Sequence, residues 1–233
     1  MPFPVENLLS RESSQKNNFL IILTGPSGVG KDTIANLLVD QISAVKILTY
    51  TTRPLRTTDR DGIDYHFVSD QEFDTLLREN SSLEWSQIAN TSHRYALGIN
   101  DLTAPKNQNK NKLLCLNIDG LLYFQNKYIH PNKNGLFSRS QCLLIAIMPP
   151  HYEDDITTAI WTLARRQLQR SKGFPLDDQK RSDIKTRLQL AKTEIQTIVK
   201  HKDLFDIIST NERNKIDDVF NQIITVMDTK KSL

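Results

Sequence analysis

Short, continuous apolar blocks alternate along the chain with longer segments in which apolar residues return every third or fourth position. The blocks Phe19 to Leu23, Leu113 to Leu116 and Leu143 to Met148 predict strands over 19–24, 113–118 and 142–148, with further strands over 45–50 and 205–209. The helical spacing predicts helices over 31–43, 152–171, 179–200 and 213–228, the first carrying Ile34, Leu37, Leu38 and Ile42 on one face. Strands that are apolar on both faces and separated by helices predict an α/β fold whose parallel sheet is covered on both sides. Residues 51–104 break the alternation: turn residues around Asp61-Gly62, short strand-like pieces and one helix near Asp70 to Arg78 predict a small inserted lobe. Segments 103–112 and 129–140 read as loops, and residues 1–17 as a flexible N-terminal extension.

Composition narrows the class without naming a chemistry. The 233 residues are 38% hydrophobic and 24% charged, the balance of a globular protein with one core. No apolar run approaches the roughly 20 residues that cross a bilayer, and the start Met-Pro-Phe-Pro-Val-Glu lacks a basic region followed by an apolar stretch, so a cytoplasmic location and no membrane partner are expected. Cys115 and Cys142 sit inside apolar runs and read as small core residues, not as a disulfide or a nucleophile. The five histidines show no metal-ligand spacing. Thirty basic residues against 27 acidic ones give a net charge of +3, too little to point to nucleic acid. Between Arg165 and Arg187, however, eight Lys or Arg face three Asp, an excess suited to a polyphosphate, or simply to the solvated faces of two helices.

The first chemical signature is Gly25-Pro26-Ser27-Gly28-Val29-Gly30-Lys31-Asp32-Thr33, placed between a predicted strand and a predicted helix. Glycines let successive backbone N–H groups turn inward around phosphate oxygens at the positive end of the helix dipole, and Lys31 adds a mobile cation. Asp32 stands where the usual pattern has a hydroxyl that touches Mg²⁺; its carboxylate could hold the metal through water or favour the helix N-terminus.

The second signature fills one stretch: Thr51-Thr52-Arg53-Pro54-Leu55-Arg56, then Asp61-Gly62-Ile63-Asp64-Tyr65-His66-Phe67-Val68, then Leu83-Glu84-Trp85. Arginines and a tyrosine can donate to a phosphate, and a carboxylate can accept from both N1–H and N2–H₂ of guanine, whereas adenine would set a lone pair against it. Core aromatics, a surface glutamate and a capping aspartate are the plain alternatives for any one of these residues taken alone.

With these residues in view, the chain from Leu20 to about Val226 resembles the guanylate kinase family. The phosphate loop matches at Gly25 to Lys31 and the Thr-Thr-Arg, Arg, Asp-Tyr-x-Phe, Glu-Trp series matches from Thr51 to Trp85. The resemblance implies a P-loop nucleoside monophosphate kinase fold: a parallel-sheet core flanked by helices (18–50, 105–164 and 188–233), a GMP-binding lobe (51–104) and a helical lid (165–187). It implies transfer of the γ-phosphoryl group of ATP to GMP, with Mg²⁺ as cofactor, in a monomer or homodimer. Arg53, Arg56, Tyr65 and Tyr95 would hold the GMP phosphate, Thr49 and Glu84 would read the guanine edge, and Asp119 would lie near base and metal. Arg166, Arg170 and Arg187 match the lid arginines, and Asn211 matches an asparagine near the adenine of ATP.

The chain departs from the family pattern at Asp32 in the loop, at Arg94 for a tyrosine, at Ala96-Leu97-Gly98 where the family has Gly followed by Ser or Thr, and at Asn117 for the first acid of an Asp-x-Asp strand end, and its segments 124–141 and 172–180 are longer than the family's. Gly-Lys-Asp also resembles ribose 1,5-bisphosphate phosphokinases, which lack the counterparts of Glu84 and Asp64-Tyr65. That kinase, and a guanylate-kinase-like binding module without catalysis, stay open as rival readings.

Overall fold

Leu20–Thr24 (β1) is buried at every position and leads through the glycine loop into the helix Lys31–Ile42 (α1). The computed structural model describes residues 18–55, 59–79, 83–87, 92–104, 107, 109–129, 136–170, 178–213 and 215–232. The elements that follow in chain order are Val45–Lys46 (β2), Thr49–Thr51 (β3), His66–Phe67 (β4), Asp70–Glu79 (α2), Leu83–Gln87 (β5), Arg94–Gly98 (β6) and Ile99–Thr103 (α3). The chain then forms Lys112–Cys115 (β7), Ile118–Tyr128 (α4), Cys142–Met148 (β8), Ile156–Arg170 (α5), Asp178–Lys200 (α6), Ile207–Thr210 (β9) and Ile216–Lys231 (α7).

Five strands make an all-parallel sheet in the order β2-β7-β1-β8-β9. Its two faces feed two cores, and the period-two alternation of a strand sorts the side chains between them. Phe19, Ile21, Leu23, Leu143 and Ile145 join the core that also holds Ile34, Leu38, Leu163, Ile195 and Ile223. Leu20, Ile22, Leu144 and Cys142 face the other way, toward Leu121, Phe124 and Leu102. Burial on both faces is why these strands read as unbroken apolar runs.

A second sheet, in the order β4-β3-β6-β5, forms the inserted lobe, with α2 covering it through Phe73. The strand expected over 45–50 is in fact two strands in two sheets. β2 pairs with β7 and the Ile47 N–H still donates to Leu113 O at 2.9 Å, but Thr49 pairs antiparallel with Leu97. The chain therefore leaves the core sheet between Ile47 and Thr49, and the second sheet begins at Thr49.

The apolar pattern missed two helices, the short α3 inside the 51–104 segment and α4. α4 follows β7 directly, where the strand was expected to run on to 118. Asn117 caps it, its side-chain oxygen accepting from Gly120 N–H at 2.9 Å, and Ile118, Leu121 and Phe124 are buried at helical spacing. A Cβ at Gly120 would lie 2.8 Å from that oxygen, so the glycine that weakens the helix signal is what lets the cap close.

Candidate active site

The loop from Gly25 to Gly30 bridges β1 and α1 at the C-terminal edge of the parallel sheet, where ligands of such sheets bind. Gly25 has φ +138°, and a Cβ there would fall 2.1 Å from Ile147 O of β8, so no other residue fits. Val29 is fully buried and anchors the loop in the core. What aims the loop is the capture of its carbonyls. Val29 O accepts from the Asn211 side-chain amide at 2.7 Å and from Arg166 Nη1 at 3.1 Å, while Arg166 Nη2 donates to Asn211 O at 2.6 Å. Ser27 O accepts from Gln167 Nε2 at 3.3 Å, and Lys31 Nζ donates to Gly25 O and, at 3.2 Å, to Pro26 O. With its oxygens engaged from α5 and the segment after β9, the loop is left to present N–H groups, the requirement for an anion.

Two acids flank Lys31. Asp32 and Thr33 are exposed in the first turn of α1, where the helix dipole favours the carboxylate. Asp119 is exposed in the first turn of α4. A third, Glu194 of α6, was not singled out in the sequence: it lies within electrostatic reach of Lys31 and of the Ser27 backbone of the loop. Burial raises its pKa above the ordinary range; Lys31 and the Ser27 amide oppose that and Asp119 adds to it. Nothing local in the sequence marks Glu194, because its partners lie more than 70 positions away.

In the lobe, Arg53, Tyr65 and Tyr95 come together as expected. The buried Arg53 donates to Asp59 Oδ2 at 2.7 Å and to Pro54 O at 2.9 Å, and its guanidinium lies 5.3 Å from the Tyr65 ring centre. Tyr65 and Tyr95 stack edge to face at 6.1 Å. Burial pushes the Tyr65 hydroxyl well above its ordinary pKa, and Asp32, Cys115 and Tyr95 raise it further against the pull of Arg53. That dependence sets Asp32 of the phosphate loop within electrostatic reach of the lobe's tyrosine.

Thr49 and Glu84 fall in one register row of the lobe's sheet. Each is the register partner of Leu97, from either side, so the row Thr49, Leu97, Glu84 crosses three adjacent strands. Opposite residues of antiparallel strands share a face, and the row is about 10 Å wide. Leu97, in register between the two, is 5% exposed and packs with Ile47 and Leu102. Arg94, in place of a tyrosine, instead clamps α2: it donates to Asp70 Oδ1 at 2.7 Å, to Asp74, and lies over Phe73.

Arg170 is the last residue of α5, one turn beyond Arg166, and Arg187 is half-buried on α6. Arg56 and most of the expected lid connection, 171–177, lie outside the described residues, as does the extension 1–17. Both cysteines are free thiols; burial pushes Cys142 up to about 12 and Cys115 up to about 11, so neither is a nucleophile at neutral pH. Among the described residues no helix is long and apolar enough to cross a membrane.

A phosphate loop at the edge of a parallel sheet, faced by a small inserted lobe, defines the class of P-loop phosphotransferases. A sequence profile described as guanylate kinase matches residues 17–133. The guanylate kinase of Malacoplasma penetrans is 29% identical over 206 residues, 88% of this chain and 90% of that one, and that of Thermotoga maritima is 27% identical over 91% of this chain and 87% of the other. The crystal structure of guanylate kinase from Anaplasma phagocytophilum shares the fold with a TM-score of 0.61 at 23% identity, over 92% of this chain and 87% of that chain. The chain belongs to the guanylate kinase family.

Proposed function

We infer that the chain is a guanylate kinase, transferring the γ-phosphoryl group of ATP to GMP to give ADP and GDP. The observation that carries this reading is the facing arrangement of the carbonyl-captured phosphate loop and the Arg53, Tyr65, Tyr95 cluster, with the Thr49 to Glu84 row beside them. The loop amides and Lys31 take the phosphates of ATP. Arg53, Arg56, Tyr65 and Tyr95 take the phosphate of GMP, and Glu84 with Thr49 reads the guanine edge. Arg166 of α5 donates to the loop's Val29 carbonyl, Arg170 of α5 and Arg187 of α6 serve with it as the lid arginines, and Asn211, which holds Val29 O, serves the adenine of ATP.

The reaction needs no covalent intermediate. The protein aligns the GMP phosphate with the γ-phosphoryl group, excludes water and neutralises the charge that spreads over the transferring group. Lys31 must leave the Gly25 and Pro26 carbonyls to do this, and the tripartite division into core, lobe (expected over 51–104, its sheet beginning already at Thr49) and lid (165–187) gives the motion that excludes water.

Mg²⁺ fits the donor set. Mg²⁺ keeps several waters and shares phosphate oxygens, so it needs few protein ligands. Asp32 and Asp119, both exposed beside Lys31, would hold it through water. When bound, it supplies charge neutralisation at the phosphates.

The test is ADP release with ATP and Mg²⁺ across GMP, dGMP, AMP, UMP, CMP and ribose 1,5-bisphosphate. Selective turnover of GMP is expected. Turnover of the sugar bisphosphate alone, or of none of the six, would overturn the assignment.

A further inference from the structure

Lys46 is the last residue of β2, in register with Leu113 of β7, which lies level with Ile21 of β1, the strand that runs on into the phosphate loop. Its side chain is 11% exposed and its Nζ is sealed from solvent, yet the ammonium has no hydrogen-bond partner among the described residues. The nearest anion is Asp64, whose Oδ1 is 3.8 Å away, beyond hydrogen-bonding distance. Asp64 Oδ2 is occupied by Arg60 N–H at 2.8 Å. A buried ammonium with three donors and no acceptor is an expensive arrangement, because the desolvation of the charge is not compensated.

Its surroundings say what compensates it. Asp64 immediately precedes Tyr65, a member of the lobe's phosphate-binding cluster. Lys46 pairs beside Leu113 of β7, two positions before Cys115, and Cys115 is in register with Leu23 just ahead of the loop. The lobe's own described guanidinium, Arg53, is already engaged by Asp59 and Pro54. Lys46 is thus a cation held in reserve between the core sheet and the lobe.

We propose that Lys46 is a further acceptor-site cation, donating to the phosphate of the nucleoside monophosphate from the core side as Arg53, Arg56 and Tyr65 donate from the lobe. The phosphate supplies the hydrogen-bond acceptor that Asp64 is too far away to be, and it ties the lobe to the core when the acceptor is bound. The inference rests on the guanylate kinase reading and adds a residue to its acceptor site.

The test compares wild type, Lys46→Met and Asp64→Asn in steady-state kinetics, in direct GMP binding by calorimetry, and in thermal melts without nucleotide. Lys46→Met is expected to weaken GMP binding and raise its KM by about tenfold or more, the scale of one charge-assisted hydrogen bond, while the KM for ATP stays within about twofold. Its melting temperature should hold or rise, since an apolar chain of similar shape replaces an uncompensated charge. If Lys46 serves only as the ion-pair partner of Asp64, both variants will lose melting temperature alike and GMP affinity will not move selectively, which overturns the proposal. A wild type that turns over GMP beside an unimpaired Lys46→Met overturns this inference alone. A wild type that neither binds nor turns over GMP removes the reading beneath it.

Discussion

Asn211 reaches across 182 positions of sequence to donate its side-chain amide to the backbone carbonyl of Val29, at 2.7 Å. The contact fixes the end of the phosphate loop to the segment after β9, and it is possible only because Gly30 has no side chain. A Cβ at Gly30 would lie 2.5 Å from the Asn211 amide nitrogen, and the backbone there has φ +105°. Gly30→Ala should therefore cost stability twice, through left-handed strain and through displacement of Asn211, by about 1–3 kcal/mol. Asn211→Leu should spare the backbone but leave Val29 O to Arg166 alone, raising the ATP KM by about tenfold. Melting curves and ATP kinetics on the two variants separate these effects; equal ATP affinity in both and in wild type would show that the contact does not shape the loop.

Lys31 rests on two carbonyls of its own loop, those of Gly25 and Pro26. These contacts are local and half-buried, so Lys31→Met should change folding stability by only about 1 kcal/mol. The same substitution removes a cation from the charge that develops during transfer, and kcat should fall on the order of 10²–10³-fold. Turnover near that of wild type would sink the assignment of the loop.

Glu84 and Thr49 occupy one row of the lobe's sheet on either side of Leu97. A neutral amide at Glu84 can accept one guanine proton but turns a donor toward the other. Glu84→Gln should therefore raise the GMP KM by about tenfold to a hundredfold and leave the ATP KM unchanged. An unchanged GMP KM would remove Glu84 from base reading.

The elements that were legible in the sequence are those whose burial is symmetrical. β1 and β8 are buried on both faces, so every residue of the run is apolar and no period is needed to find them. The 45–50 run deceived because its residues serve two sheets: Ile47 packs in the core beneath β7, while Thr49 belongs to the lobe. α4 was hidden by Gly120, whose value lies in a cap contact that composition does not express. In the site, the loop and the Thr51 to Trp85 series were legible because each is contiguous and its spacing carries the chemistry. Glu194, Gln167 and Lys46 were not, because each acts on a group brought to it by the fold from a distant part of the chain. The Arg165 to Arg187 charge excess falls between its two readings: Arg166 binds the loop's backbone, whereas Arg165 and Lys185 are solvent-facing.

Glu194 gives the site a pH dependence whose sign can be worked out. Burial raises its pKa in the fold, Asp119 adds to that, and Lys31 with the Ser27 amide only partly offsets it. The folded chain therefore holds this proton more tightly than the unfolded chain does. Below the ordinary glutamate range both states are protonated and the group costs nothing. As pH rises through the ordinary value, the unfolded chain ionises first, and stability falls until the folded carboxyl has ionised as well. Glu194→Gln keeps the size and shape of the side chain and has no charge to bury. The variant should melt above wild type at neutral pH, and the difference should shrink as pH is lowered through the glutamate range. Melting curves of the nucleotide-free proteins from acid to neutral pH measure this directly; a variant that melts below wild type at neutral pH would mean that the attraction of Lys31 for the carboxylate outweighs the burial of its charge.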